Sequence, residues 1–335
     1  MSGGLRSRYM SFIDRKIGRW RDFDFFLDPV CDSGFGDRLI EIWAVLTIAE
    51  LLNPGARTAI RWTEEGFETP AFITDYAPLF SVGDATFVNG RPLGAARVQR
   101  GFSNDATWSR CVRKLPAGPR QIGLRRGRAF GWTDPQRLRA QARRYGLPRE
   151  MDIRELAAVY RRIAASTAPA PEVAAAIPAD IDQRIGIHVR LSDKIVTKAK
   201  GHEMTVERWK TIEAAGTAYI DRCVAAGEKI FVCSEDTGYR ESLMRRIRER
   251  GGDVIFHDPA RGEPRPAGFD AFVDFFALAR CRRIVQLTRY SNFSLLPAII
   301  SGRELVNFDP ADDGAMNSLD RWADVATIRR AGSAF

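Results

Sequence analysis

The stretch from Arg184 to His202, RIGIHVRLSDKIVTKAKGH, decides how the rest of the chain is interpreted. It starts as a short apolar run that ends in His188 and Arg190, and a polar loop follows. This pattern is typical of a buried parallel strand that delivers its last side chains to the carboxyl edge of a sheet, where open α/β sheets bind ligands. Arginine suits a phosphate there because its planar group donates two parallel hydrogen bonds and keeps its charge. The stretch therefore predicts an anion clamp, although basic residues at strand ends are also common without any ligand.

Strand and helix patterns alternate after this stretch at short spacing. Five apolar runs predict strands at 185–190, 229–233, 254–257, 283–287 and 304–308, and the segments between them predict helices at 206–225, 238–250, 269–280 and 293–301. Parallel strands need crossover connections, and these helices supply them. The sequence therefore predicts a doubly wound parallel sheet over residues 181–310.

A second α/β pattern occupies residues 1–165. The run FFLDPVC predicts a strand at 25–31, the turn after it contains Gly34 and Gly36, and a long buried helix is predicted at 38–52. Backbone N–H groups in such a turn can approach a phosphate or sugar closely. The same glycines could instead serve only a tight turn with positive φ. Further strands are predicted at 58–62 and 85–89, and further helices at 69–80, 135–145 and 151–165.

Composition agrees with two domains, since 335 residues exceed what one hydrophobic core usually serves. Residues 166–180 contain three prolines among small side chains and are predicted to be the interdomain linker. The five cysteines have no paired spacing, which suits a reducing cytoplasm. No apolar run approaches the ~20 residues needed to span a bilayer, and no signal-peptide core is present. We therefore expect a cytoplasmic protein that is at most peripheral on the inner membrane face.

The basic residues outnumber the acidic ones by 51 to 42, and the net charge of +9 favours an acidic ligand, an anionic membrane or nucleic acid. Apolar and basic residues alternate at helical spacing over 5–21, so this helix could lie on anionic lipid or pack on its own domain. In the arginine-rich segment 97–128, the basic residues from Arg110 to Arg128 have no aromatic residues between them, as nucleic-acid stacking would need; Phe102 and Trp108 only precede them. A solvated basic face, or one that meets an acidic substrate, is the favoured interpretation of that segment.

The predicted strand ends of the second domain carry polar side chains. Ser234 to Asp236 follow one strand, and a turn containing Ser291 and Asn292 precedes an apolar helix. Such a turn caps the helix, and a capped helix N-terminus also attracts phosphate. Capping alone would explain both residues. Together with Arg190, however, the turn makes a diphosphate ligand the better hypothesis.

The residues His188, Arg190, Asp193 and Lys194, with Thr197 and His202 after them, resemble the signature of the α1,6-fucosyltransferase family. The similarity extends to Gly34 and Gly36, to Ser234–Asp236, to Asp274, and to Ser291 and Asn292. The resemblance implies an α/β, GT-B-like fold, with two Rossmann-like domains facing across a cleft. The first would lie on the acceptor side and the second, 181–310, would bind the nucleotide sugar. The tail 311–335, with a helix at 319–330, would cross back to the first domain.

The resemblance also implies the chemistry: inverting transfer of fucose from GDP-fucose to a glycan or glycolipid hydroxyl, with no metal and no other cofactor. Arg190 would bind the β-phosphate, and His188 and Asp274 would contact the nucleoside. Ser291 with Asn292 would bind the diphosphate. Lys194 and Asp236 complete the expected donor-binding set, and Gly34 and Gly36 would let the first domain close on the donor.

An inverting transferase needs a base that takes the proton from the acceptor hydroxyl. Asp37, Asp193 and Glu203 are the candidates, and the last two are favoured as catalytic residues because they share the loop with Arg190. Both could equally be loop carboxylates paired with neighbouring lysines.

Three positions depart from the family pattern. Leu191 stands where a second arginine is expected, Lys198 where a glutamate is expected, and Leu295 where another arginine is expected. The first departure would remove one of two phosphate-binding cations, a loss of ~1.5 to 3 kcal/mol. A catalytically impaired nucleotide-sugar or glycan-binding protein is therefore the main alternative. A nucleic-acid binder that uses the arginine-rich segment is the second.

Overall fold

The computed structural model describes residues 25–27, 35–62, 79–89, 120–122, 134–142, 147, 151–191, 195, 204–259, 265, 268–288, 290–309 and 319–331. The chain divides into two compact units, Met1–Thr167 and Ala168–Phe335. Within the described ranges, every helix is too short or too polar to cross a bilayer.

The first unit contains a parallel sheet of four strands. They are β1 (Phe25–Leu27), β2 (Thr58–Trp62), β4 (Thr86–Asn89) and β5 (Arg120–Ile122), and β3 (Phe80–Val82) lies outside this sheet. The order across the sheet is β4-β2-β1-β5, and all three neighbouring pairs are parallel. Within the described residues, the helices of this unit are α1 (Phe35–Leu52), α2 (Pro135–Gln141) and α3 (Ile153–Ala165).

Helix α1 forms the centre of the first unit because it is apolar on nearly every side. Its Trp43 is completely buried, stacks edge-on against Tyr160 of α3 with ring centroids 6.0 Å apart, and donates its indole N–H to Thr167 Oγ1 at 2.9 Å. The helix begins at Phe35, three residues before the predicted start, because Phe35 is buried against Phe80 at 5.3 Å. The first turn of α1 is thereby drawn into the core.

The second unit contains a parallel sheet of six strands in the order β12-β11-β10-β7-β8-β9. The strands are β7 (Arg184–Val189), β8 (Lys229–Ser234), β9 (Val254–Ile255), β10 (Arg283–Gln286), β11 (Glu304–Asn307) and β12 (Thr327–Arg330), and β6 (Thr167–Pro169) lies at the boundary of the units. The helices are α4 (Pro171–Ala176), α5 (Val206–Ala225), α6 (Thr237–Glu249), α7 (Phe269–Arg280) and α8 (Asn292–Ser301). The predicted α/β fold class is confirmed.

Alternate residues of the central strands face opposite layers of helices. Ile187 of β7 and Val285 of β10 belong to an apolar cluster with α5 and α6. Gly186 faces the other layer, where an added Cβ atom would lie 2.8 Å from Leu278 Cδ2 and 3.0 Å from Cys281 Sγ. Glycine at this position therefore lets α7 approach the sheet closely. The two layers place the N-termini of α6 and α8 at the carboxyl edge of the sheet.

The division between the two units falls within the predicted linker 166–180, after Thr167. That segment contains β6 and α4, and Val173 of α4 is buried. The predicted helix at 319–330 is instead a short 3-10 helix, Leu319–Trp322, followed by β12. Strand β12 pairs with β11 over its whole length, so Thr327–Arg330 belong to the second sheet. Their backbone hydrogen bonds cover an edge that β11 would otherwise leave open.

We expect Gly186→Ala to lower the free energy of unfolding by about 1 to 3 kcal/mol, because the added methyl group overpacks the layer between β7 and α7. Urea unfolding followed by circular dichroism measures this change. Gly238→Ala is the matched control, since its new Cβ atom would meet only Asp236 Oδ1 at 3.5 Å. An unchanged unfolding midpoint for Gly186→Ala would show that α7 does not depend on the close approach.

Candidate functional site

A row of polar side chains crosses the carboxyl edge of the second sheet. His188 of β7 is in register with Cys233 of β8 and with Gln286 of β10, and Gln286 is in register with Asn307 of β11. Residues in register on neighbouring strands point to the same face of a sheet. All four are at most 5% exposed. Buried polar groups require partners, so this row has to be hydrogen-bonded.

Helix α8 supplies the partner for the middle of the row. Ser294 Oγ donates to Gln286 Oε1 at 2.5 Å and lies 3.1 Å from His188 Nδ1. Gln286 Nε2 donates to the Thr288 carbonyl at 3.1 Å and to Asn307 Oδ1 at 3.4 Å. The His188 ring also lies against Phe293, with ring centroids 5.5 Å apart. The row thus ties the first turn of α8 to three strands.

Asp274 of α7 lies beside the other end of the row. Burial raises the pKa of Asp274 from its ordinary value of 3.8 to about 7, and a hydrogen bond from the Cys233 thiol and the charge of Arg240 offset this only in part. Its Oδ1 atom is buried and has no hydrogen-bond partner among the described residues. Asp274 therefore offers a buried acceptor beside Cys233, the register neighbour of His188, with a charge that changes near neutral pH.

Arg240 of α6 is a functional candidate that the sequence did not predict. Its guanidinium lies over the Phe256 ring, 4.6 Å from the centroid, and its Nη1 atom donates to the Ser234 carbonyl at 3.4 Å. Its Nε atom is buried without a hydrogen-bond partner in the described part of the chain. Arg240 is one of several arginines on α6, so its sequence position alone does not distinguish it.

The N-terminus of α8 is capped by Ser291, which is 2% exposed. Its Oγ accepts from the Phe293 N–H at 3.2 Å, and its carbonyl accepts from the Leu295 N–H at 3.1 Å. The Ser291 hydroxyl keeps its own proton for donation. Asn292 is the first residue of the helix. The predicted diphosphate-binding pair therefore lies at a helix start, where the backbone favours negative charge.

Arg190 follows the last residue of β7 and is partly exposed. The next N–H group, that of Leu191, donates to Glu235 Oε1 at 2.6 Å, so a carboxylate lies beside the predicted anion clamp. Asp236, predicted to bind the donor, is the N-cap of α6 and accepts from the Tyr239 N–H at 2.8 Å. Capping explains the position of Asp236 without a ligand.

The remaining predicted residues are placed differently or not described. Gly36 is the second residue of α1 and is not among the positive-φ glycines, so the interpretation as a positive-φ turn is wrong for this residue. Asp37 lies in the first turn of α1. Gly34, Asp193, Lys194 and Glu203 lie outside the described residues. Among the residues that the structure describes, no three His, Cys, Asp or Glu side chains are grouped closely enough to hold a metal ion.

No protein-family model matches the sequence, and neither does any curated protein. Solved structures are similar at the level of fold. An arginine-to-lysine variant of Arabidopsis thaliana FUT1 in complex with GDP is 12% identical and matches over 91% of this chain and 75% of its own, with a TM-score of 0.51. The similarity to FUT1 indicates that the chain has a GT-B-like α/β fold.

Two further structures match with lower TM-scores. The fucosyltransferase NodZ from Bradyrhizobium is 15% identical, with 85% of this chain and 96% of that chain covered and a TM-score of 0.46. POFUT1 in complex with GDP-fucose is 10% identical, with 93% of this chain and 98% of that chain covered and a TM-score of 0.44.

The raised pKa of Asp274 predicts how stability depends on pH. The folded protein keeps this proton up to about pH 7, whereas the unfolded chain releases it near 3.8, so the free energy of unfolding falls as pH rises between these values. We expect Asp274→Asn to be more stable than wild type at pH 8 by roughly 1 to 4 kcal/mol, since each pKa unit is worth about 1.4 kcal/mol.

Urea unfolding at pH 5, 6, 7 and 8 measures this effect. Asp221→Asn is the control, because a hydrogen bond from Arg246 lowers the pKa of Asp221 and its effect on stability is lost only at acid pH. Equal pH slopes for wild type and Asp274→Asn above pH 5 would contradict the assignment.

Proposed function

We propose that this protein is an inverting, metal-independent glycosyltransferase that transfers fucose from GDP-fucose to a hydroxyl group of a glycan or glycolipid. The observation that carries the proposal is the pair of buried groups at the carboxyl edge of the second sheet. His188 lies in the polar row, and Asp274, which contacts Cys233 of that row, has a carboxylate oxygen without a hydrogen-bond partner among the described residues. The capped start of α8 lies next to them. This edge is where open α/β sheets bind nucleotides.

The chemistry of Asp274 favours guanine over the pyrimidines. Guanine carries N–H donors on adjacent ring positions, N1 and N2, and a carboxylate can accept from both at once. Uracil and thymine carry one N–H between two carbonyl acceptors, which an ionised carboxylate repels. Arg240 Nε is a buried donor near Asp274 and suits the O6 or N7 acceptor of guanine. GDP is therefore the nucleotide that this edge fits best.

The diphosphate would bind between Arg190 and the start of α8. A leaving group with two negative charges is stabilised by fixed donors as well as by a cation. Arg190 supplies a permanent positive charge. Ser291 supplies a hydroxyl, and the first turn of α8 supplies the favourable end of the helix dipole. Leu191 stands where a second arginine is expected, and Lys194 from the loop after β7 would replace part of the missing positive charge.

The catalytic base would come from the loop after β7, as Asp193 or Glu203. Gly34 and Gly36 would offer backbone N–H groups to the donor. The FUT1 structure with GDP and the POFUT1 structure with GDP-fucose support a GDP-sugar as the donor class, because fold and ligand occur together in those proteins.

Cys223, Cys233 and Cys281 are buried free thiols, which supports a cytoplasmic location for the protein. The basic segment 5–21 would contact an anionic membrane face.

A binding protein without catalysis is the second candidate, and the surroundings of Arg190 favour it. Leu191 removes a cation, and Glu235 brings a carboxylate to the same strand end. Both changes weaken stabilisation of the leaving diphosphate more than they weaken recognition of the base. The two candidates share the nucleotide site and differ in turnover.

We expect GDP and GDP-fucose to raise the melting temperature by roughly 4 to 8 °C at a hundredfold excess over Kd, and UDP and dTDP compounds to raise it far less. Thermal-shift titration measures this. Arg190→Ala should lose most of the response because the phosphate clamp is removed, and Asp274→Asn should lose the preference for GDP over UDP. Arg303→Ala is the control, since Arg303 is an exposed residue after α8. An equal rise in melting temperature with all of these nucleotides would contradict the proposal.

Release of GDP from GDP-fucose separates the two candidates. A transferase releases GDP slowly when water accepts the sugar and faster when a glycan accepts it, whereas a binding protein releases none. Nucleotide-dependent stabilisation without GDP release would leave the binding protein as the function.

A further inference from the structure

We propose that Gln286 and Ser294 are positioning residues that hold His188 in the tautomer with its proton on Nδ1, so that Nε2 is a hydrogen-bond acceptor. The tautomer follows from the contacts of the polar row alone. Its use in recognising the base of the nucleotide rests on the proposed function.

The backbone fixes the orientation of both amide side chains in the row. The Asp309 N–H donates to Asn307 Oδ1 at 3.2 Å, which identifies that atom as the oxygen. Gln286 then faces two acceptors on one side, Asn307 Oδ1 at 3.4 Å and the Thr288 carbonyl at 3.1 Å. Only an NH2 group can satisfy both. Gln286 Oε1 must therefore be the atom that faces Ser294.

The serine hydroxyl has one proton, and both of its other neighbours are acceptors. Gln286 Oε1 lies 2.5 Å away and the Ser291 carbonyl lies 3.3 Å away. If Ser294 gave its proton to His188 instead, two oxygens would face each other at 2.5 Å with no proton between them. Ser294 therefore presents only lone pairs to His188, which must donate from Nδ1 across 3.1 Å.

A neutral His188 in this state carries its lone pair on Nε2. In an unconstrained neutral imidazole of histidine the proton favours Nε2, so the row reverses the usual preference. The reversal turns Nε2 of His188 from a donor into an acceptor. Asp274 of α7 contacts Cys233, the register neighbour of His188, so a second acceptor lies beside the neighbouring position of the row. A base with adjacent N–H groups fits this pair.

The alternative is that Gln286 and Ser294 only satisfy each other and pack α8 onto the sheet. That role would not depend on which nitrogen of His188 carries the proton. The two roles are therefore separated by observing the ring nitrogens rather than by measuring stability or activity.

The test is long-range proton–nitrogen NMR on the full chain labelled with ¹⁵N-histidine, at pH 8. The protein has three histidines, and the His188 signals are assigned by their loss in His188→Gln. We expect neutral His188 to show a protonated Nδ1 and an unprotonated Nε2. His257, whose Nε2 lies 2.7 Å from Asp270 Oδ1, should show a protonated Nε2 and serves as the internal reference. A His188 signal with the proton on Nε2 in the wild-type protein would overturn the proposal without any variant.

Variants then test the positioning role. Ser294→Ala should move the His188 proton to Nε2 and weaken GDP binding about tenfold, the size expected when one buried hydrogen bond is lost. Ser294→Thr keeps the hydroxyl and should keep the tautomer. Ser301→Ala is the matched control, because Ser301 lies on the same helix and its hydroxyl donates to the Pro297 carbonyl at 2.8 Å. An Nδ1 proton that persists in Ser294→Ala would contradict the role of Ser294.

The nucleotide measurements distinguish failure of this inference from failure of the proposed function. If the wild-type ring carries its proton on Nδ1 but neither GDP nor UDP binds, the tautomer stands and the proposed function fails. If GDP binds and the ring carries its proton on Nε2, the proposed function stands and the positioning role fails.

Discussion

The hydrogen bond from Ser294 to Gln286 is the contact on which the candidate site depends. It joins the first turn of α8 to the middle of the six-stranded sheet, at a depth where neither side chain is exposed. A buried polar pair of this kind costs stability unless both members are satisfied, so it specifies the helix position more sharply than apolar packing does. Because α8 is fixed there, its capped N-terminus lies at the sheet edge where β7 delivers His188 and Arg190.

The sequence predicted the second sheet well because its central strands are buried on both faces. Fully buried strands appear in a sequence as continuous apolar runs. The helices between these runs were then predicted well, since 206–225 and 269–280 match α5 and α7 residue for residue. The predicted final helix failed because Thr327–Arg330 forms a strand by pairing with β11, a contact that local patterning does not contain. The start of α1 was missed for a similar reason, since Phe35 is buried by Phe80 from another part of the chain.

The residues of the candidate site could be predicted where a polar side chain lies at the end of an apolar run. They could not be predicted where the role of a side chain depends on which residue of another strand or helix packs against it. Polar residues directly after apolar runs pointed to His188, Arg190 and Ser291. Gln286 was missed although a signal existed, because a glutamine inside an otherwise apolar strand must find a buried partner. Which residue that partner is depends on the packing of α8. Arg240 gave no such signal, since its burial against Phe256 arises only after α6 folds back on the sheet.

The polar groups around His188 differ in how far they are satisfied. Within the row, Ser294 donates to Gln286 and Gln286 donates to Asn307, whereas the Thr288 hydroxyl after β10 is buried without a hydrogen-bond partner among the described residues. Toward β8 the described residues leave a carboxylate oxygen of Asp274 and the Nε atom of Arg240 buried without hydrogen bonds. Unsatisfied buried groups cost free energy that a ligand with matching donors and acceptors restores on binding. On the proposed function, Asp274 and Arg240 would meet the base of the nucleotide, while the hydrogen-bonded row keeps His188 in one orientation and, when neutral, in one tautomer.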